Sequence, residues 1–110
     1  MIKVNIKPMS VNKAWMGKRF KTKEYKQYEK EVLLLLPKIE IPGGKLQIYF
    51  TFGFSSKNAD VDNPVKLILD IMQKKYGFND SRVYGISSEK CIMPKGQEFI
   101  DIRVEQYQLF

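Results

Sequence analysis

Between Lys45 and Phe54 the side chains alternate. Leu46, Ile48, Phe50, Phe52 and Phe54 fall on one side of an extended chain, and Gln47, Tyr49, Thr51 and Gly53 fall on the other. Successive residues of a strand point to opposite faces, so this segment predicts a strand with one wholly apolar face. A face of that kind has to be covered, and two segments have the pattern to cover it. Lys23 to Leu36 carries Tyr25, Tyr28, Val32, Leu35 and Leu36 at helical spacings, with Thr22 as N-cap and Pro37 as stop. A second helix is predicted from Asn63, with Asn63 as N-cap and Pro64 at the first helical position. Its apolar stripe is Val65, Ile68, Leu69 and Met72, and Gly77 is the left-handed residue that closes it. Ile2, Val4 and Ile6 alternate with polar residues as a first strand. Two further strands are predicted at about Val83 to Ile92 and Glu98 to Gln106, joined by a turn at Pro94-Lys95-Gly96. Met9 to Lys21 shows no period and reads as a basic loop. The order β-α-β-α-β-β predicts an α/β (α+β) layer fold, a small mixed sheet with two helices packed on it. The 110 residues suit one domain spanning 1–110.

Composition removes several classes of function. The chain has one cysteine, Cys91, and no histidine, so an internal disulfide, a Cys-rich zinc site and any His-based triad are excluded. No apolar run approaches the roughly 20 residues that span a bilayer. The chain opens on a strand-like segment rather than a leader, so a reduced, cytoplasmic protein without membrane attachment is expected.

The net charge of +7 is confined to one region. Residues 1–30 hold nine basic side chains and two acidic ones, whereas residues 31–110 hold ten of each sign. A patch of this kind concentrates a polyanion and speeds encounter with it. Trp15, Phe20, Tyr25 and Tyr28 are interleaved with the lysines, as at surfaces that contact bases and sugars. Asn12, Lys13, Trp15, Lys18, Arg19, Lys21 and Lys23 are therefore the candidate DNA-binding residues.

Acidic residues gather at the start and the end of the second helix. Asp60-Val61-Asp62-Asn63 precedes it, Lys66 lies four residues after Asp62, Asp70 follows on the helix, and Asn79-Asp80 comes after it. On an extended segment Asp60 and Asp62 point the same way. A helix of about 12 residues then carries the chain roughly 18 Å away. Asp80 rejoins the first two acids only if the chain folds back or a partner subunit supplies it. Converging carboxylates repel one another unless a hard divalent cation enters, and Mg²⁺ takes this kind of oxygen donor set. Such an ion beside a phosphodiester activates water and stabilises the leaving oxygen, and Lys66 would add positive charge near the phosphate. The plainer reading makes Asp62 a helix cap, Lys66 and Asp70 a surface ion pair, and Asn79-Asp80-Ser81 an Asx-turn.

Together these residues resemble a known family. The run Asp60-Val61-Asp62-Asn63-Pro64-Val65-Lys66, then Leu69-Asp70, then Gly77-Phe78-Asn79-Asp80-Ser81-Arg82-Val83, is similar to the pattern of RusA-family Holliday junction resolvases. Pro8-Met9-Ser10-Val11-Asn12 is similar to the family's Pro-x-Ser-x-Asn segment near the N-terminus. The resemblance covers nearly the whole chain. It implies a homodimeric, Mg²⁺-dependent endonuclease, with Mn²⁺ as the alternative ion, that nicks branched DNA symmetrically and takes no small-molecule cofactor. Many members are phage-encoded. Carried over, Asp60, Asp62 and Asp80 are the metal-binding catalytic carboxylates and Lys66 the catalytic lysine. Asn63, Asp70 and Asn79 become supporting residues. Where the family often has two adjacent acids, this chain has Asn79 before Asp80, so a neutral oxygen replaces one charge.

Two other classes fit the same composition. One is a non-catalytic basic module for branched DNA whose acids are caps and turns; the other binds single strands by stacking bases on Trp15 and the tyrosines.

Overall fold

The computed structural model describes residues 1–10, 15–16 and 20–108. Its elements are β1 (Ile2–Val4), β2 (Trp15–Met16), β3 (Phe20–Lys21), α1 (Lys23–Leu35), β4 (Leu46–Phe54), α2 (Val65–Tyr76), a short 3₁₀ turn (Asp80–Arg82), β5 (Val83–Ile92) and β6 (Phe99–Gln106). The four-stranded sheet has the order β1-β6-β4-β5. β6 is antiparallel to both β1 and β4, while β5 runs parallel to β4. A parallel neighbour requires a crossover, and α2 is that crossover. This is the α+β arrangement expected, a mixed sheet with two helices. The addition is β2 and β3, which pair as a small antiparallel ribbon where no period is legible.

Cross-strand partners share a face, so the register assigns the core. Val4 is opposite Ile100, which is opposite Phe52; Ile2 is opposite Ile102, which is opposite Phe50. All six are buried, with Leu46, Ile48 and Phe54 on the same face. Tyr25, Tyr28, Val32 and Leu36 from the α1 segment and Leu67, Ile68, Ile71 and Met72 from α2 join them in one cluster. Both helices therefore cover one side of the sheet. The other side is polar: the Arg103 guanidinium lies 4.2 Å over the Tyr49 ring, and the Lys3 ammonium 4.7 Å over Phe99.

Several expected details shift. β1 ends at Val4 instead of reaching Ile6. In α1 the Thr22 hydroxyl accepts the Tyr25 N–H at 3.1 Å, as an N-cap should. Leu36 is buried but Leu35 is 48% exposed. The helix stops at Leu35, and Leu36 turns extended at φ −69°, ψ 123°, which swings its side chain back to the core. In α2 the buried set is Leu67, Ile68, Ile71 and Met72, with Val65 and Leu69 half-buried. This helix is apolar at so many positions that periodicity alone selects no unique face. Gly77 closes it at φ +74°, as expected. The Phe-rich β4 lies between β5 and β6 with its apolar face buried. Leu33 packs on the core, whereas Leu34 is 79% exposed.

β5 and β6 are not neighbours. Their connection crosses the end of β4, where the Met93 N–H donates to the Phe54 carbonyl at 2.7 Å. Gly53 makes the crossing possible, since a Cβ there would lie 2.5 Å from the Phe99 ring and 3.0 Å from the Met93 side chain. Gly53→Ala is expected to destabilise the fold by about 1–3 kcal/mol through overpacking, read as a lower urea midpoint with unchanged slope.

Candidate active site

α1 and α2 run in the same direction. Lys74 Nζ meets Glu29 at 2.8 Å, Lys75 Nζ donates to the Leu33 carbonyl at 3.1 Å, and the Tyr76 hydroxyl donates to the Pro37 carbonyl at 2.7 Å. Both helices thus begin at the same end of the molecule, where β4 finishes. A cleft of about 730 Å³ opens there. Its walls include Pro8, Met9 and Ser10, the first turns of α1 at Lys23 and Tyr28, Phe54 at the end of β4, and Asp60, Asn63 and Pro64. The N-terminal segment and the acidic segment, about fifty residues apart in sequence, line the same cleft.

Asp60 is exposed, and Asn63 Nδ2 donates to its carboxylate at 3.4 Å. That use of Asn63 replaces the expected cap: α2 starts at Val65 with no side-chain cap, and the Asp62 carbonyl accepts the Val65 N–H at 3.1 Å. The chain bends at Val61 and Asp62 instead of staying extended, so strand parity does not align the two acids. Asp60 lines the cleft and Asp62 does not. Lys66 lies in the first turn of α2 with Nζ 3.8 Å from Asp70 Oδ1, its side chain 71% exposed.

The far end of α2 is built differently. Asn79 Oδ1 accepts the Ser81 N–H at 2.8 Å and so caps the 3₁₀ turn. Gln73 Oε1 accepts the Asp80 N–H at 3.0 Å. Arg82 donates to the carbonyls of Pro42 and Gly44, fastening this turn beside the start of β4. Val83 is opposite Leu46 in the sheet, and Ile92 is opposite Phe54. Asp80 therefore sits by the start of β4, whereas Asp60 and Asp62 follow its end. A strand of this length spans roughly 26 Å at about 3.3 Å per residue. Among the described residues no three His, Cys, Asp or Glu side chains come together within one chain.

Of the candidate DNA-binding residues, Asn12, Lys13, Lys18 and Arg19 lie outside the described residues, and only the backbone of Trp15 is described, in β2. Lys23 is at the lip of the cleft, with Lys7 beside it. Lys21 is engaged elsewhere, 3.2 Å from Glu29. Glu29, Lys74 and Gln73 do not stand out in the sequence, because ordinary polar residues on a helix carry no motif. No helix among the described residues is long and apolar enough to cross a membrane. No protein-family model matches the chain, and no curated protein matches it either.

Glu29 bridges the two helices between Lys21 and Lys74. Burial raises its carboxyl, but hydrogen bonds and charge from Lys74 and Lys21 outweigh this and hold it below the ordinary range. Burial, reinforced by Glu29 and Asp70, pushes the neighbouring Tyr25 hydroxyl up. A carboxyl lowered on folding stabilises the fold above its unfolded pKa, and that contribution is lost as pH falls through the lowered value. Glu29→Gln should therefore be less stable than the parent near neutral pH. The gap in chemical-denaturation midpoints is expected to close as pH falls below about 4, since glutamate titrates near 4.3 when unfolded.

Proposed function

We propose that this protein is a metal-dependent endonuclease acting on branched DNA in the cytoplasm, as a homodimer that resolves four-way junctions by paired nicks. The observation that carries the reading is the shared cleft: Pro8, Met9 and Ser10 meet Asp60 and Asn63 at the end of β4 where both helices begin. That end gathers two helix N-termini with Lys7 and Lys23, an environment that favours a phosphate.

The donor chemistry fits a hard cation. Asp60 offers carboxylate oxygens within the cleft, Asp62 would join it from just outside the lining, and Mg²⁺ binds through one or two carboxylates with the remaining positions left to water and phosphate. Mg²⁺ or Mn²⁺ bound there would polarise the phosphoryl group and make a hydroxide nucleophile available near neutral pH. The residues do the rest. Asn63 holds the Asp60 carboxylate in one orientation through its amide. Lys66, one turn further along α2, offers positive charge to the phosphate as negative charge builds on it. To do so its ammonium must leave Asp70, which an exposed pair permits at a cost of about 0.3–0.5 kcal/mol.

Asp80 belongs to the same chemistry through a partner. β5 is an edge strand, and Tyr84, Ile86 and Ile92 on it are 57%, 44% and 45% exposed. An edge of that length with exposed apolar side chains invites pairing with another chain, and a second copy is the occupant that makes functional sense. Two β5 strands joined antiparallel about a two-fold axis would bring the start of one β5 to the finish of the other. Lys90 donates to the Lys57 and Ala59 carbonyls, so the loop leading to Asp60 lies near the finish of its own β5. The pairing would thus carry Asp80 of each chain to the partner's Asp60 and Asp62. It would also form two sites related by two-fold symmetry, matching a substrate that needs two symmetric cuts. The Lys66–Asp70 pair is what the alternative, a non-catalytic DNA-binding module, would also show; metal dependence separates the two.

A labelled four-way junction should receive paired nicks with Mg²⁺ and none with chelator. Asp60→Asn and Asp80→Asn should each lower nicking by about 100-fold or more, because several kcal/mol of charge stabilisation goes with the metal, while junction binding persists. Tight binding with no cut under any condition overturns the reading. If the site is shared, mixing the two inactive variants restores one intact site per mixed dimer and yields single nicks; if each chain works alone, the mixture stays inactive. Ile86→Lys is expected to give a folded monomer by sedimentation that no longer nicks.

A further inference from the structure

We propose that Gln73 is a positioning residue for Asp80, setting the carboxylate that the nuclease reading above assigns to the metal site. The inference rests on that reading and adds a residue to it. Gln73 lies near the end of α2 and uses its carboxamide in both directions. Oε1 accepts the Asp80 N–H at 3.0 Å, while Nε2 donates to Asp70 Oδ1 at 3.5 Å and to the Leu69 carbonyl at 3.4 Å. One amide supplies an acceptor and a donor side by side, which no apolar residue of similar length can do.

The Asp80 carboxylate makes no hydrogen bond or ion pair among the described residues. Its position is therefore inherited from its backbone. That backbone is held by the turn's own bonds, Arg82 N–H to the Asn79 carbonyl and Val83 N–H to the Asp80 carbonyl, and by three side chains: Asn79 caps Ser81, Arg82 anchors to the carbonyls of Pro42 and Gly44, and Gln73 takes the N–H of Asp80 itself. Of the three side chains, Gln73 is the one that bonds to Asp80 itself and ties the turn to α2. Asp70 gains a role as well. By accepting from Nε2 it fixes which way the carboxamide faces, so that oxygen and not nitrogen meets the Asp80 N–H. Groups that orient metal-binding carboxylates typically matter by about 10–100-fold in metal affinity or activity.

The test uses Gln73→Met and Gln73→Glu in the full chain. Gln73→Met keeps the length and loses the acceptor; it should raise the Mg²⁺ concentration needed for half-maximal nicking by about 10-fold or more. Junction binding and Tm should stay near those of the parent. Gln73→Glu retains an acceptor for the Asp80 N–H and should recover most of the loss, which a merely structural substitution would not do. In mixed dimers Gln73→Met should behave as an Asp80 variant does, giving single nicks with Asp60→Asn but not with Asp80→Asn. An unchanged Mg²⁺ requirement in Gln73→Met, or no recovery in Gln73→Glu, overturns the inference while leaving the nuclease reading intact. A parent protein that nicks nothing overturns the nuclease reading, and this inference falls with it.

Discussion

The parallel pairing of β4 with β5 is the constraint on which the rest of the molecule depends. A parallel neighbour must start at the end where its partner starts, so the chain leaving β4 has to travel back before it can pair. α2 makes that return, which explains why the acidic segment and the Asn79-Asp80 turn occupy opposite ends of one helix. Packing of α2 against the Phe-rich face of β4 leaves the acids no freedom to approach each other. Leu67, Ile68, Ile71 and Met72 are fully buried against that face, and sliding the helix by one turn would expose apolar surface worth several kcal/mol.

The same topology decides which surfaces remain unfinished. The fully buried core is drawn from β1, β6, β4 and the two helices, while β5, at the edge of the sheet, adds only the half-buried Val83 to it. No residue along β5 is fully buried, although Ile86 and Ile92 are paired in register with the buried Ile48 and Phe54. Soluble proteins usually blunt a long edge with charges, proline or a covering loop. Here Lys90 reaches back to the Lys57 and Ala59 carbonyls, leaving the isoleucines uncovered. The unfinished edge and the divided acids thus arise from one cause, the crossover that places β5 at the sheet edge, parallel to β4.

How far the fold is legible follows from what kind of signal each element carries. The alternation of Leu46 to Phe54 specifies a strand and its buried face, because parity in a strand leaves one solution. Thr22, Gly77 and Gly96 mark boundaries through backbone chemistry that is local, and those boundaries hold. The α2 stripe differs from the expected one because Val65, Leu67, Ile68, Leu69, Ile71 and Met72 are all apolar, so only packing chooses among them. Leu35 departs at a helix end, where helical spacing stops applying. β2 and β3 have two residues each, too few for any period. The candidate site is legible only as a motif, and Asp60, Asn63 and Lys66 lie around the start of α2. That Asp80 stands apart cannot be read, since spacing gives the length of a helix but not the direction of the strand after it. Gln73 and Glu29 are invisible for a further reason: each acquires its role only from the partner it meets across α1, α2 or the turn.

On the proposed shared-site reading, dividing the acids between chains also has an energetic logic. Three carboxylates held together in a folded monomer would repel at close range, and each tenfold loss of acidity that this forces on one of them costs about 1.4 kcal/mol. Against a small domain's total stability of about 5–15 kcal/mol, that penalty is large. In the arrangement seen here each chain folds without it. Asp60 is held by Asn63, Asp62 leads into α2, and Asp80 stands at the other end of the sheet. On the shared-site reading the repulsion arises only when two chains meet, in the presence of a divalent cation and a polyanion that offset it. Folding and site formation then draw on different interactions, so the core can be optimised for stability without compromise to the acids. On that reading an isolated chain would be inert as a nuclease, which would tie cutting to the two-fold assembly that a paired cut requires.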